Sequence, residues 1–282
     1  MTQTAVPLVL KPFKDDLFAH KALVSESHDG LLKVYDYNEK RDIDLRDSIP
    51  VKKANPAYVE LLPLKEQREF NLKISSAQGN RTLETFEVGR ASNAAFAVIF
   101  IHGSNGTRDL GVNDWTFSGN FNRLKNLAVQ NAGVYYSPTV RELMKPSGAE
   151  EVLALILHIR KTSPSARIVL ACASSGAFVC SNVAKLESAA DNLDGMMLMG
   201  TSSDATVLRS ALLQRRVPIL FTQGTKDSLA SFAGQVAHFD AILKSDRNYP
   251  TAFVAFNTGG HGVPIRMIDW RESLNWIFSI RK

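Results

Sequence analysis

The sequence predicts an α/β fold, a mostly parallel sheet with helices on both faces. Three observations carry that prediction. Short apolar runs that do not alternate, such as Ile168–Ala171 and Ala95–Ile101, read as strands buried on both sides. Runs with helical spacing separate them, as right-handed strand–helix–strand crossovers require. One junction, Arg167–Cys180, turns from such a strand straight into a helical pattern through small residues only: Cys172, Ala173, Ser174, Ser175, Gly176 and Ala177. There Ser174 has small neighbours two positions away on each side, Cys172 and Gly176. A serine in so tight a turn faces a helix N-terminus, whose free N–H groups favour negative charge developing beside it. Ser175, between Ala173 and Ala177, fits the same pattern one residue on. An ordinary strand-to-helix turn with serines as helix caps is the simpler alternative.

Composition narrows the class. With 282 residues the chain is near the upper size of one domain and can bury a large core. A net charge of +5 without a basic block argues against nucleic acid as a partner. No run reaches the roughly 18 apolar residues of a membrane span. The start, Met1–Pro7, lacks a basic region followed by an apolar one, so the expectation is a cytoplasmic protein, with export of a chain whose leader has been removed as the alternative. The two cysteines, Cys172 and Cys180, sit on one strand and its following helix, which suits buried free thiols rather than a disulfide framework or a metal site.

The elements follow in order. Residues 1–66 read as an N-terminal extension. Leu31–Tyr37 is a candidate strand, and the charge run Glu39–Asp47, closed by Pro50, reads as a solvated arm, with contact to a second subunit as the alternative. Phe70–Ile74 and Leu83–Val88 alternate apolar and polar residues around Gln78-Gly79-Asn80, which reads as a β-hairpin. The strand Ala95–Ile101 then delivers His102-Gly103-Ser104-Asn105-Gly106, where His102 reads as structural. The long loop Thr107–Asn120 supplies the candidate substrate-binding residues Arg108 and Trp115. A guanidinium suits an anionic substrate group, although Arg108 has Asp109 and Asp114 as nearer partners. A helix from Phe121 and a strand over Gly133–Ser137 follow. Ser147 with Glu150 forms a capping box for the next helix, which carries His158. Beyond the serine turn come the methionine-rich strand Gly195–Gly200, a helix over Thr206–Gln214 and the strand Val217–Phe221. The turn Gly224-Thr225-Lys226-Asp227 opens a helix over Ser228–Leu243 that carries His238. The last strand, Thr251–Phe256, leads into Gly259-Gly260-His261-Gly262 and a helix from Pro264.

Taken together these pieces resemble the α/β-hydrolase superfamily, specifically its serine esterases and lipases, over residues 67–282. Cys172-Ala173-Ser174-Ser175-Gly176 is similar to the G-x-S-x-G nucleophile elbow, with a cysteine in place of the first glycine. His102-Gly103-Ser104 is similar to the family's oxyanion loop. The order of Ser174, Asp227 and His261 matches the family's order of nucleophile, acid and base. The resemblance implies Ser174 as nucleophile, His261 as general base and Asp227 as its orienting acid. It also implies an oxyanion hole formed by the amides of Ser104 and Ser175. Asp204 and His238 are the rival acid and base. The sixteen residues Thr201–Arg216 leave no room for a lid domain. The activity implied is cleavage of a small-molecule carboxylic ester, or a related thioester or lactone, with no metal and no cofactor. A hydrolase-fold protein that binds a ligand or partner without cleaving it is the alternative. A nucleotide-binding reading of Gly103–Gly106 fails for want of the G-x-G-x-x-G spacing and a phosphate-binding lysine.

Overall fold

The computed structural model describes residues 8–48, 53–76 and 79–280, so Met1–Pro7, Pro50 and the Gln78 end of the hairpin turn lie outside the described residues. Ten strands among them form one sheet: β1 (Leu23–Ser27), β2 (Leu32–Tyr35), β3 (Gln67–Ser76), β4 (Gly79–Gly89), β5 (Phe96–Ile101), β6 (Val134–Pro138), β7 (Arg167–Ala173), β8 (Gly195–Met199), β9 (Ile219–Gly224) and β10 (Thr251–Phe256). Their order across the sheet is β1-β2-β10-β9-β8-β7-β5-β6-β4-β3. Every neighbouring pair from β2 across to β6 is parallel. The hairpin β3–β4 joins antiparallel at one edge and β1 at the other.

Among the described residues six helices have eight or more residues, α1 (Glu39–Arg46), α2 (Asn120–Gln130), α3 (Pro146–Thr162), α4 (Ala177–Ala184), α5 (Phe232–Ser245) and α6 (Trp270–Ser279), and all but α1 cover this sheet. Period-two alternation within each strand divides the core into two layers. Ile99, Ile101, Ile168, Leu170 and Cys172 meet Val152 and Ile156 of α3, Val179 of α4 and Phe239 of α5. Val98, Phe100, Val169, Ala171 and Ala173 meet Phe121 and Leu124 of α2 and Trp270 and Leu274 of α6. Both faces of the central strands are therefore covered, which explains their lack of alternation in sequence.

Several helix boundaries differ from the expectation. Pro146 opens α3, because proline suits the first helical position; Lys145 precedes it, so Ser147 lies inside the helix and caps nothing. The stretch Thr206–Gln214 divides into two short turns, Ala205–Arg209 and Ala211–Gln214, because the Ser210 hydroxyl accepts from the Leu213 N–H and starts a new one. The C-terminal helix is likewise interrupted, and Asp269 caps α6 by accepting from the N–H groups of Arg271 and Glu272.

The larger difference concerns the N-terminal segment. The charge run is the helix α1, and Asp42 and Arg46 on it are 0% and 2% exposed. The Arg46 guanidinium lies 4.9 Å from the Phe18 ring centroid and 5.4 Å from that of Tyr58, and Arg123 of α2 stacks on Phe18 at 4.9 Å. Arg46 also donates to the carbonyls of Leu17 and Arg266. Burial pulls the pKa of Arg46 down to about 10. Arg123 pairs with Asp15 and Asp269, and Arg271 pairs with the same Asp15. Charges that read as solvated in sequence are thus used inside the chain, on either side of a buried aromatic layer. This holds β2 against β10, and so fixes the segment beside the last strand.

Candidate active site

The serine turn closes β7. Ser174 has φ 52°, the left-handed region that a side chain other than glycine adopts only under strain. It begins a single 3₁₀ turn, Ser174–Gly176, that runs on into α4. Gly176 lies where this turn meets the end of β5. A Cβ there would fall 2.7 Å from the carbonyl oxygen of His102 and 2.9 Å from that of Ile101. Gly103 is as tightly placed, since its Cβ would fall 3.0 Å from the Cβ of Ser174. Both glycines are needed because loop and turn touch through backbone.

The two cysteines overturn the free-thiol expectation. Cys172, two residues before Ser174, is joined by a disulfide to Cys180 of α4, with their Cα atoms 6.2 Å apart. The strand reverses into the helix within that interval, which brings a residue one helical turn past the start of α4 back beside the end of β7. Spacing alone does not display this reversal.

His261 follows β10 and lies against the end of β7. Its Nε2 is 2.8 Å from Ser174 Oγ, and its Nδ1 is 2.8 Å from Asp227 Oδ2 and 3.0 Å from Oδ1. With Nδ1–H donating to the carboxylate, Nε2 is left to accept the Ser174 hydroxyl. The Asp227 side chain is fully buried, and that of His261 is 25% exposed. Asp227 Oδ1 accepts from the N–H groups of Leu229 and Ala230, and Oδ2 accepts from Gln223 Nε2 at 2.8 Å. Gln223 of β9 also donates to the Ala230 carbonyl, so it ties the acid turn to its strand. The turns bearing Asp227 and His261 are laced together, with the N–H groups of Thr225 and Lys226 donating to the carbonyls of Phe256 and Gly259. Gly224 permits this, as a Cβ there would fall 2.1 Å from the Gly259 carbonyl oxygen.

The remaining candidates divide. Ser175 does not meet His261; its Oγ lies 2.7 Å from Ser104 Oγ, so the side chains of the two expected oxyanion-hole residues touch. His102 is structural, donating from Nδ1 to the Gly103 carbonyl and accepting the Val140 N–H at Nε2, and burial lowers its pKa. His238 is buried against the edge of Phe221, and His158 packs on Phe70. Asp204 caps the Ala205–Arg209 turn and is not hydrogen-bonded to His261. Arg108 lies over the Phe86 ring at 4.7 Å and pairs with Glu69, while Trp115 packs under the Lys53 ammonium at 4.2 Å. Neither lines a cleft at His261. Asp109 and Asp114, the nearer partners considered for Arg108, are held instead by Thr107 and Lys125.

Two clefts flank His261. One, of about 210 Å³, is bordered by Phe178, Leu229, Ser202, Ser203 and Asp204. The other, of about 250 Å³, is bordered by Phe117, Arg266 and three residues of the N-terminal segment: Tyr37, Glu39 and Ile43. Sequence reasoning missed that segment's share of the site, and it missed Gln223. A glutamine directly after the run Ile219–Thr222, four residues before Asp227, was the available signal.

By sequence the chain matches no family model and no curated protein. By structure it is similar to solved esterases. One from Pyrococcus furiosus superposes with a TM-score of 0.52 at 11% identity, over 75% of this chain and 92% of that one. The feruloyl esterase module from Clostridium thermocellum, solved with sinapinate, gives 0.58 at 10% identity, over 80% and 93%. A thermostable esterase gives 0.57 at 13% identity, over 77% and 64%. With the strand order above, these likenesses establish that the chain has the α/β-hydrolase fold.

Proposed function

We propose that the protein is a serine hydrolase that cleaves a small-molecule carboxylic ester through Ser174, His261 and Asp227. The observation that carries this reading is the continuous hydrogen-bonded chain from Ser174 Oγ through the His261 ring to the buried Asp227 carboxylate. Its members stand at the carboxyl ends of β7, β10 and β9, where open α/β sheets gather their chemistry.

The steps follow from that geometry. His261 Nε2 takes the Ser174 proton as Oγ attacks the ester carbonyl, and a tetrahedral oxyanion forms. The amides of Ser104 and Ser175 stabilise it; two donors fixed in advance need no reorganisation as charge develops. Asp227 holds the Nδ1–H tautomer and stabilises the imidazolium. His261 then returns the proton to the leaving alcohol, and the acyl group rests on Ser174. A water deprotonated by the same nitrogen attacks the acyl-enzyme and frees the acid. The two clefts on opposite sides of His261 suit the two halves of one ester. Thioesters and lactones are open to the same machinery.

A fluorophosphonate probe with peptide mapping tests the reading. Expected is a single adduct on Ser174, lost in Ser174→Ala, together with hydrolysis of p-nitrophenyl esters that falls by about 10⁴-fold or more in that variant, on the scale of triad removals. Folded protein with no adduct and no hydrolysis would point to a binding protein built on this fold. An adduct on Ser175 would move the nucleophile by one residue.

A further inference from the structure

The cleft lined by Phe178 and Leu229 has one carboxylate on its wall, that of Asp204, and no lysine or arginine lines it. Like Glu60 and Glu151, Asp204 is a partly buried acid in no ion pair among the described residues, and of these three it alone borders a cleft at His261. Asp114, Asp194 and Asp269 each face a lysine or arginine, and Asp227 faces His261. Among the described residues no cation stands within ion-pair distance of Asp204. Its hydrogen-bond partners are neutral: Oδ1 accepts the Thr206 N–H at 2.9 Å and the Thr206 hydroxyl at 2.6 Å. A carboxylate offers about four acceptor sites, so capacity remains. Burial raises its pKa, but these hydrogen bonds, with the distant charge of Lys185, outweigh that and hold it below the usual aspartate value. Ser202 and Ser203 add hydroxyl oxygens to the same cleft, and Phe178 and Leu229, 44% and 74% exposed, add apolar sides.

We infer that this cleft receives an ammonium-bearing part of the ester, with Asp204 as its counter-charge and the apolar sides packed on the carbons that carry it. The inference rests on the hydrolase reading above and narrows it to cationic esters. A substrate carboxylate would meet like charge here, and a neutral group would leave the Asp204 charge unused.

Two matched ester pairs test it, one for each side of the scissile bond. Butyrylcholine against 3,3-dimethylbutyl butyrate places the charge in the alcohol, and ethyl 4-aminobutyrate against ethyl pentanoate places it in the acyl group. Expected is a kcat/KM preference of roughly three- to tenfold for the cationic member of one pair, the range for a half-exposed ion pair. The ratio should fall to about one in Asp204→Asn, and in the unaltered protein it should shrink as salt rises from about 0.02 M to about 0.5 M. A ratio of one in both pairs, or a preference that survives in Asp204→Asn, overturns the inference. Should that variant not fold, a preference indifferent to salt overturns it equally. If Ser174 takes the fluorophosphonate and neutral esters are cleaved without charge preference, only the cationic assignment fails. If Ser174 stays unlabelled and no ester is cleaved, the hydrolase reading fails and the cationic assignment with it.

Discussion

Breaking the Cys172–Cys180 bridge tests how the strained serine is held. The bridge closes a loop with a sequence separation of eight, and Ser174 lies inside that loop with φ 52°. The chain-entropy relation for so short a loop gives about 2.5 kcal/mol of stabilisation from the restricted unfolded chain. A non-glycine residue in the left-handed region costs of order 1–3 kcal/mol. The two terms are of one size, so the bridge is large enough to offset the strain at Ser174. Reduction with a dithiol under native conditions, or the pair Cys172→Ala and Cys180→Ala, removes it. With a urea m-value of about 3 kcal/mol/M, the midpoint should fall by roughly 0.8 M. The turn should also loosen before the molecule unfolds, so the rate at which fluorophosphonate acylates Ser174 should drop several-fold in water. Alkylation of the unreduced, unfolded protein, read by mass, should find no free thiol. Two modified cysteines in that experiment, or equal urea midpoints and equal acylation rates with and without the bridge, would refute this account.

Other expected outcomes address single residues. Gly103→Ala adds a Cβ 3.0 Å from that of Ser174, so kcat should fall about 100-fold, the scale of a displacement near 1 Å at a reacting centre, with the urea midpoint little changed. Gln223→Leu removes the donor to Asp227 Oδ2; kcat should fall roughly tenfold with KM nearly constant, as when a group supporting an orienting residue is lost. His238 is buried, neither ring nitrogen has a hydrogen-bond partner among the described residues, and burial lowers its pKa. Unfolded, it binds its proton near the ordinary value of about 6.5, whereas the native state resists until lower pH, so native stability is lost as pH falls below about 6.5. His238→Phe should raise stability by about 1 kcal/mol at pH 7 and flatten the decline of the urea midpoint between about pH 7 and pH 5. His102, also lowered by burial, keeps part of that decline in the variant.

The parts of the site that were legible in sequence are those where one short stretch contains both the strand and the turn that uses it. Ser174, Asp227 and His261 each follow an apolar run, within small or glycine-rich surroundings that a close backbone approach demands. What stayed hidden depends on partners distant in the chain. Arg108 was weighed against its neighbours in the loop, yet its carboxylate, Glu69, stands on the hairpin at the sheet edge. The run Glu39–Asp47 looks solvated by composition. Asp42 is held locally by Arg41, but Arg46 meets the rings of Phe18 and Tyr58 and the Arg266 carbonyl, and Asp47 meets the Arg266 guanidinium, which no local pattern announces. The bridge was missed because spacing does not reveal that the chain reverses between its two cysteines.

These misses have a common physical root in the N-terminal segment. The turn that carries His261 is held from two directions. On one side the Asp227 turn donates two backbone hydrogen bonds to it; on the other, the Asn257 N–H and the Thr258 hydroxyl donate to the carbonyls of Tyr35 and Tyr37. Thr258 has φ 59°, a conformation that needs such outside support. β2 supplies that support because it lies parallel to β10, between two segments that meet at Phe18: Phe18 itself, before β2, packs under Arg123 of α2 and under Arg46, after β2. The residues furthest from the serine in sequence therefore fix the imidazole that must reach it, and they also wall the second cleft through Tyr37 and Glu39. A sheet that ended at β10 would leave its histidine turn anchored from the acid side alone.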